Sequence, residues 1–409
     1  MKVGYVLLDG CADRPDRRLN YTTPLQAAFT PNLDIISSSS RLGSVVTVGE
    51  GIAPESDIAV FSMLGYSFEG RYPGRGVIEA VGAGLEFRDG WLALRANFAS
   101  CSGTAIVDRR AGRNLTDHEA RKLAEEVNGI KLKDAEFRFV STVGYRGVLV
   151  IMSDVPLSAE ISNTDPAYTR VGGFGAAVSV KEDERVALSV PLTEDPRAKR
   201  AASLVNEFTA KAAKVLSSSR VNKDRVSRGK LPANCVLLRD AGDHLPKVQP
   251  FEQKYGMAGT ALVDMPVEVG IAKLLGMKIV ETGERSDVRS KGEVFVREIA
   301  EGRVVYAHMK GPDEFGHDGD PVGKKKSIER IDSDFFSLVS EKLRDARIVV
   351  SCDHSTPCSL MMHSPDPVPL LVSQTSNRDS MRFTEKNSRH GSLGRLVGRE
   401  VLRTALSLR

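Results

Sequence analysis

The chain has no excess of charge of either sign: 57 lysines and arginines stand against 53 aspartates and glutamates, a net of +4 over 409 residues. That balance removes any argument for a nucleic-acid partner, while leaving room for a local basic pocket that takes a small anion. Long apolar runs are missing as well. None approaches the ~18 residues that a membrane span needs. The apolar start at Met1 meets Asp9 too soon for a secretory signal and carries no cleavage pattern. Cysteine is sparse. Cys11, Cys101, Cys235, Cys352 and Cys358 are odd in number, scattered and without a CxxC pair, which argues for reduced thiols rather than a disulfide framework. No internal repeat is present, and the four serines at 37–40 are the only low-complexity tract. These absences predict a cytoplasmic globular protein with no membrane or nucleic-acid partner; a homo-oligomer is compatible with all of them.

The composition that remains, 41% hydrophobic and 27% charged, can build a large core. The length exceeds the ~250–300 residues at which a single core stops growing, so two or three domains are expected. Residues 3–8 (VGYVLL), 304–309 (VVYAHM) and 347–350 (RIVV) are continuous apolar runs closed by polar loops, the pattern of strands buried on both faces. Between the last two, Ile331, Phe335, Leu338 and Leu343 recur near helical spacing and predict an amphipathic helix over 328–343. Strand, loop, helix, strand is the order of a parallel α/β sheet. The middle of the chain differs. It holds hairpin-like patches at 136–141 and 147–151, a long basic helix over 195–216, and a polar, basic stretch at 217–230 that reads as a linker. Strand-like sequence resumes at 234–238. The expected organisation is a discontinuous α/β domain, 1–89 and 231–409, with a mainly parallel sheet, interrupted by a smaller α+β domain at 90–230.

Each apolar run ends in potential metal ligands. Asp9 follows the first, Asp313 and His317 the second, Asp353 and His354 the third, and His363 lies in the loop after them. Ligand sites in open parallel sheets lie beyond the carboxyl ends of the strands, so these residues can converge. Mixed Asp and His donors suit borderline divalent ions such as Mn²⁺ or Zn²⁺, and paired ions are the usual device for displacement at phosphorus. Each residue alone has a plainer explanation. Asp9-Gly10 can be a turn, Asp353-His354 can cap a helix at Ser355-Thr356-Pro357, and Asp313 and His317 can be loop solubilisers. Three such ends together make the plain explanation the weaker one. His118 reads as a surface residue and His308 as core or a support to the site; His244 and His390 have no partner pattern as persuasive. Ser56 falls between the loop holding Gly49 and Gly51 and an apolar helical stretch ending at Gly65. A helix N-terminus there would favour bound phosphate, although a simple N-cap serves as well.

Several motifs, in order along almost the whole chain, resemble the archaeal-type cofactor-independent phosphoglycerate mutases. They are Leu8-Asp9-Gly10 with Asp13-Arg14-Pro15, Pro54-Glu55-Ser56-Asp57 with Leu64-Gly65-Tyr66, and Gly74-Arg75-Gly76 through Ala80. Asp108 to Arg113, Pro232-Ala233-Asn234 with Leu238-Arg239, Lys310 to Asp320, Asp353 to Cys358, His363 before Pro367 and Gly391 to Gly394 complete the match. The resemblance implies an alkaline-phosphatase-like three-layer domain with an inserted transferase domain that closes to exclude water. It implies two divalent ions, Mn²⁺ first with Zn²⁺, Co²⁺ or Mg²⁺ open, and no 2,3-bisphosphoglycerate. One ion would be held by Asp313, His317 and His363, the other by Asp9, Asp353 and His354 with the Ser56 oxygen. Ser56 would be the nucleophile that interconverts 3- and 2-phosphoglycerate through a phosphoserine. Arginine forks suit the substrate's carboxylate and phosphate, and the candidates are Arg109, Arg110, Arg113 and Arg239, with Lys310 beside the metal loop. Arg109-Arg110 also reads as a solvated charge cluster, and Asp165, a candidate for the glycerate hydroxyls, also reads as a turn. The chain departs from the family at Glu55, Ile58, Asp240 and Phe315, where Gly, Thr, Gly and Ala are usual. These departures leave open a homoserine-kinase-like phosphotransferase or a phosphomonoesterase on the same scaffold. Arg389-His390-Gly391 has the residue types of the phosphohistidine motif in cofactor-dependent mutases, but at the wrong end of the chain.

Overall fold

The computed structural model describes residues 1–68, 72–171, 174–177, 184–284, 287–299 and 302–408. The chain forms two compact units: Met1–Ser67 with Val248–Asp264 and Ile271–Arg409, and Phe68–Lys247 with Met265–Gly270.

The first unit is built on an eight-stranded sheet. Its order is Lys278–Ile279, Gly259–Leu262, Val304–Met309, Val3–Leu8, Arg347–Ser351, Val368–Ser373, Ser40–Val46, Gly394–Val397. All neighbours are parallel except those of Val368–Ser373, which runs antiparallel to both. The three runs expected to be buried strands lie side by side at the centre, every residue of them buried. Leu8 is opposite Met309 and Leu7 is opposite Ser351, so the three chains leave the sheet at the same edge. Two expectations change here. The polar stretch 310–320 contains a helix, Pro312–His317, because Pro312 supplies a preset first helical residue. The helix expected over 328–343 starts earlier, at Pro321, where Asp320 accepts the N–H groups of Val322 and Gly323. It continues through a widened turn, Asp332–Phe336, to Lys342.

The second unit pairs Leu92–Ser102 with Ala105–Asp108, Arg146–Met152 and Cys235–Gly242, and extends to Glu136–Ser141. The helices Asp117–Asn128 and Pro196–Ser218 supply Leu123, Val205 and Phe208 to a core with Phe98, Phe139 and Leu149. The stretch read as a linker, 217–230, is mostly helical: Ser219 caps Arg220–Ser227 by accepting the N–H of Val221. Its charge is not solvated throughout. Arg225 is fully buried and donates to Glu119 and to the carbonyls of Ala111 and Leu231. The strand Cys235–Gly242 belongs to this sheet, so the second unit takes in more chain than 90–230. The same pairing overturns the expectation of reduced thiols. Register places Cys235 opposite Ala99, and Cys235 is disulfide-bonded to Cys101, 134 residues away in sequence. Cys11, Cys352 and Cys358 are free and buried. Among the described residues, no helix is long and apolar enough to cross a membrane.

Candidate active site

Asp9 follows the central strand and, among the described residues, is anchored by one oxygen: Lys310 Nζ donates to Oδ2 at 2.9 Å. Asp353 is held in the same way, its Oδ1 accepting the N–H groups of Gly10 and His354, both at 3.0 Å. Gly10 has φ +54°, and a Cβ there would lie 2.5 Å from Asp313 Oδ1. Only glycine allows the first and second strand-end loops to approach this closely. Thr356 Oγ1 donates to Asp313 Oδ1 at 2.6 Å and lies 3.0 Å from His354 Nδ1. The threonine hydroxyl gives its proton to the carboxylate and therefore accepts from His354 Nδ1–H. His363 Nδ1 donates to the Pro54 carbonyl at 2.8 Å, and His317 Nδ1 to the Met361 carbonyl at 3.1 Å. All three histidines thus spend Nδ1 on an oxygen acceptor and turn Nε2 toward the carboxylates. This is the arrangement by which metal-ligating histidines are oriented.

The Nε2 atoms meet the carboxylates at short range. His354 Nε2 is 3.2 Å from Asp353 Oδ2 and 3.6 Å from Asp9 Oδ1. His317 Nε2 is 3.5 Å from Asp313 Oδ2, and His363 Nε2 is 3.7 Å from Asp313 Oδ1. Among the described residues, donor atoms within 4.8 Å of one another form three sets: Asp313, His317 and His363; Asp9, Asp313 and His354; Asp9, His308 and Asp353. The first is a set that the sequence resemblance implied. In the others Asp9 is shared, and His308, read from sequence as core or support, joins Asp9 and Asp353. Ligands bound tetrahedrally at about 2.0–2.2 Å lie roughly 3.3–3.6 Å apart, close to these spacings.

The electrostatics point the same way. Burial raises Asp9 to about 6 against the pull of Lys310, with Asp353 and Asp313 adding to the rise. Burial opposes charge on His354, but Asp353, Asp313 and Asp9 outweigh it and hold the imidazole up at about 9. Burial alone would raise Asp313; His354, His363 and His317 bring it down to about 2 instead. Three carboxylates in one cluster, Asp9 and Asp353 buried and Asp313 partly buried, need positive charge. Asp9 Oδ1 and Asp353 Oδ2, both buried, accept no hydrogen bond among the described residues. Borderline divalent cations fit this donor set.

Ser56 is the first residue of the helix Ser56–Met63; Glu55 is its N-cap. The reading of Ser56 as a mere cap therefore falls away. Its Oγ lies 3.1 Å from His354 Nε2, at the edge of the cluster. The helix N-terminus behind it offers N–H groups to an anion.

A family profile for 2,3-bisphosphoglycerate-independent phosphoglycerate mutase matches residues 37–222. A mutase of that name from Aeropyrum pernix is 44% identical over 97% of each chain. The chain belongs to this family. A relative of the same name from Methanopyrus kandleri is 38% identical, covering 98% of this chain and 94% of that one. Among solved structures, the cofactor-independent phosphoglycerate mutase of Thermoplasma acidophilum is similar over 99% of both chains, with 33% identity and a TM-score of 0.65. A protein from Pyrococcus horikoshii covers 99% of this chain and 96% of its own, with 27% identity and a TM-score of 0.80.

The remaining site candidates lie in the second unit, and Arg109, Asp165 and Arg239 belong to a chain of alternating charge. Arg109 pairs with both Asp165 and Glu184. Arg239 lies 3.4 Å from Asp165 and 3.5 Å from Asp240, and stacks 3.9 Å above the Tyr168 ring. Arg95 joins Asp240 at 3.0 Å to Glu79 at 2.9 Å, and Arg75 meets Glu79 at 2.9 Å. Asp165 is buried and also accepts the Ala167 N–H at 3.1 Å, so it makes a local turn and an ion pair together. Asp240 stands where the family usually has glycine and keeps the left-handed backbone, φ +56°. Arg95 and Arg239 hold its carboxylate, which burial would otherwise raise, below the usual range. Arg110 donates its backbone N–H to Asp108, and Arg113 is exposed. Sequence reasoning missed Thr356 and also Lys324. Lys324 is wholly buried and ties Asp13 to the carbonyls of Ala12 and Thr356. A lysine in a helix carries no signal of that role.

Proposed function

We propose that this chain interconverts 3-phosphoglycerate and 2-phosphoglycerate through a phosphoserine at Ser56, using two divalent cations and no 2,3-bisphosphoglycerate. The observation that carries the reading is Ser56 Oγ, at a helix N-terminus, 3.1 Å from His354 Nε2 in a cluster of aspartates and histidines. Asp313, His317 and His363 would hold one cation. Asp9, Asp353 and His354, with Ser56 Oγ, would hold the other; Mn²⁺ is the first choice, with Zn²⁺, Co²⁺ and Mg²⁺ as alternatives. When bound, such ions neutralise phosphoryl oxygens and lower the pKa of a hydroxyl. Ser56 Oγ forms a bond to phosphorus as the bond from phosphorus to the substrate's 3-oxygen breaks. Ser56 gives up a proton and the departing oxygen takes one. The 2-hydroxyl then attacks the phosphoserine and restores Ser56. Arg109, Arg110, Arg113, Arg239, Lys310 and Asp165 are the groups proposed to bind phosphate, carboxylate and hydroxyls. The setting is cytoplasmic in this reading, and it has to accommodate the Cys101–Cys235 bridge.

The test is a coupled assay with enolase on chelator-treated protein, with each metal added back and no bisphosphate present. Mutase activity should return with metal and without release of inorganic phosphate. Full turnover in excess chelator, or strict dependence on the bisphosphate, contradicts the reading. Phosphate release in place of isomerisation identifies a phosphomonoesterase.

A further inference from the structure

We infer that His308 is a further ligand of the buried cation, completing a position formed by Asp9, Asp353 and His354. The inference rests on the two-cation reading and adds a residue to it. His308 lies in the strand Val304–Met309, whose other members are apolar, and is fully buried. It pairs in register with Leu7, two residues before Asp9 on the neighbouring strand. Its Nε2 is 3.5 Å from Asp353 Oδ2 and 3.7 Å from Asp9 Oδ1. Both spacings exceed the ~2.7–3.2 Å of an N–H···O bond. They are close to those of two ligands sharing one ion, roughly 3.3–3.6 Å.

The carboxylates are divided in the same sense. Asp9 gives Oδ2 to Lys310, and Asp353 gives Oδ1 to Gly10 and His354. The oxygens that turn toward His308, Asp9 Oδ1 and Asp353 Oδ2, are the two that accept no hydrogen bond among the described residues. His354 Nε2 approaches these same two oxygens at 3.6 and 3.2 Å. A buried histidine serving only as packing would not need its ring nitrogen beside two buried carboxylate oxygens. Donor atoms of Asp9, His308 and Asp353 lie within 4.8 Å of one another, and with His354 Nε2 and Ser56 Oγ beside them they would offer one ion a mixed carboxylate, imidazole and hydroxyl donor set.

The decisive experiment is nuclear magnetic resonance of the full chain, labelled with ¹⁵N-histidine and loaded with ¹¹³Cd²⁺. Seven histidines are present. Two ¹¹³Cd resonances should appear, and four histidine Nε2 signals should show coupling to cadmium, two to each ion. His308→Gln should remove one coupling from one resonance only. It should also weaken that ion's binding, measured by chelator competition, by about 10–100-fold or more, the range for losing a ligand's support. Two ¹¹³Cd resonances with only three coupled histidines would overturn the assignment of His308 and leave the two-cation reading standing. Fewer than two resonances would overturn both. The wild-type count holds whether or not the variant folds.

Discussion

Replacing Gly10 with alanine should damage cation binding as well as folding. Gly10 has φ +54°, where a residue with a Cβ costs about 1–2 kcal/mol. The new methyl would lie 2.5 Å from Asp313 Oδ1 and 2.6 Å from Thr356 Oγ1, against ordinary contact from 3.4 Å. Asp313 Oδ1 would have to retreat by close to 0.9 Å, the difference between 3.4 and 2.5, and Thr356 Oγ1 by close to 0.8 Å, the difference between 3.4 and 2.6. Asp313 Cβ, 2.9 Å from the new methyl, is not a flexible side-chain end, so the loop that carries it would have to shift and the loss of stability should exceed the backbone cost. The cation is less tolerant, because ligand distances hold to about ±0.2 Å. Asp313 would leave its position, and Thr356 would no longer orient His354 Nδ1. Affinity for Mn²⁺ should fall by about 10–100-fold or more, the range for disturbing a ligand's support. The assay is isothermal titration with Mn²⁺, paired with urea unfolding in chelator. Unchanged affinity in a folded variant would refute the close approach of the two loops around the ion.

Lys324→Met should cost about 3–5 kcal/mol in urea unfolding, because Asp13 would remain as a buried carboxylate without its ammonium; stability equal to wild type would show that the pair does not tie the loops together. In the metal-free chain His354 is raised to about 9, so its contribution is complete below the ordinary 6.5 and is lost as pH rises through 9. The Tm measured in chelator should therefore fall between those values, while metal, which needs the neutral imidazole, binds more tightly over the same range; a flat or rising chelated Tm would contradict this. Arg239→Lys removes the planar fork beside Asp165 and the stacking on Tyr168. It should raise KM for phosphoglycerate more than it lowers kcat, and an unchanged KM would remove Arg239 from substrate binding.

The central strands were legible because a parallel sheet covered on both faces asks for continuous apolar runs, and 304–309 has the bounds read from sequence. The aspartates and histidines that cluster were legible because such residues directly after apolar runs are unusual for packing alone. The grouping of those ligands was not. His308 lies inside an apolar run and reads as core, and only its register against Leu7 brings it to Asp9 and Asp353. Polarity misled at 217–230, where buried Arg225 is neutralised by Glu119 from another helix. The strand Cys235–Gly242 was visible as a strand, but its apolar pattern does not say which sheet it joins. The disulfide with Cys101 follows from that pairing and was hidden with it. The arginines were visible as cations, yet Asp165 and Glu184, which pair with Arg109 and Arg239, lie far along the chain and could not be assigned from spacing.

The most direct measurement is the intact mass of the protein after incubation with 3-phosphoglycerate and Mn²⁺, followed by rapid quench and peptide mapping. Ser56 is asked to carry the phosphoryl group, and Ser62, the other hydroxyl on the same helix, is buried and donates to the Thr47 carbonyl. Wild type should show a transient phosphate adduct on Ser56. Ser56→Ala should show no adduct and no mutase turnover while keeping its fold, since one hydroxyl at a helix start is worth about 0.5–2 kcal/mol at most. An adduct on another residue, or near-normal turnover by the alanine variant, would contradict a phosphoserine mechanism at Ser56.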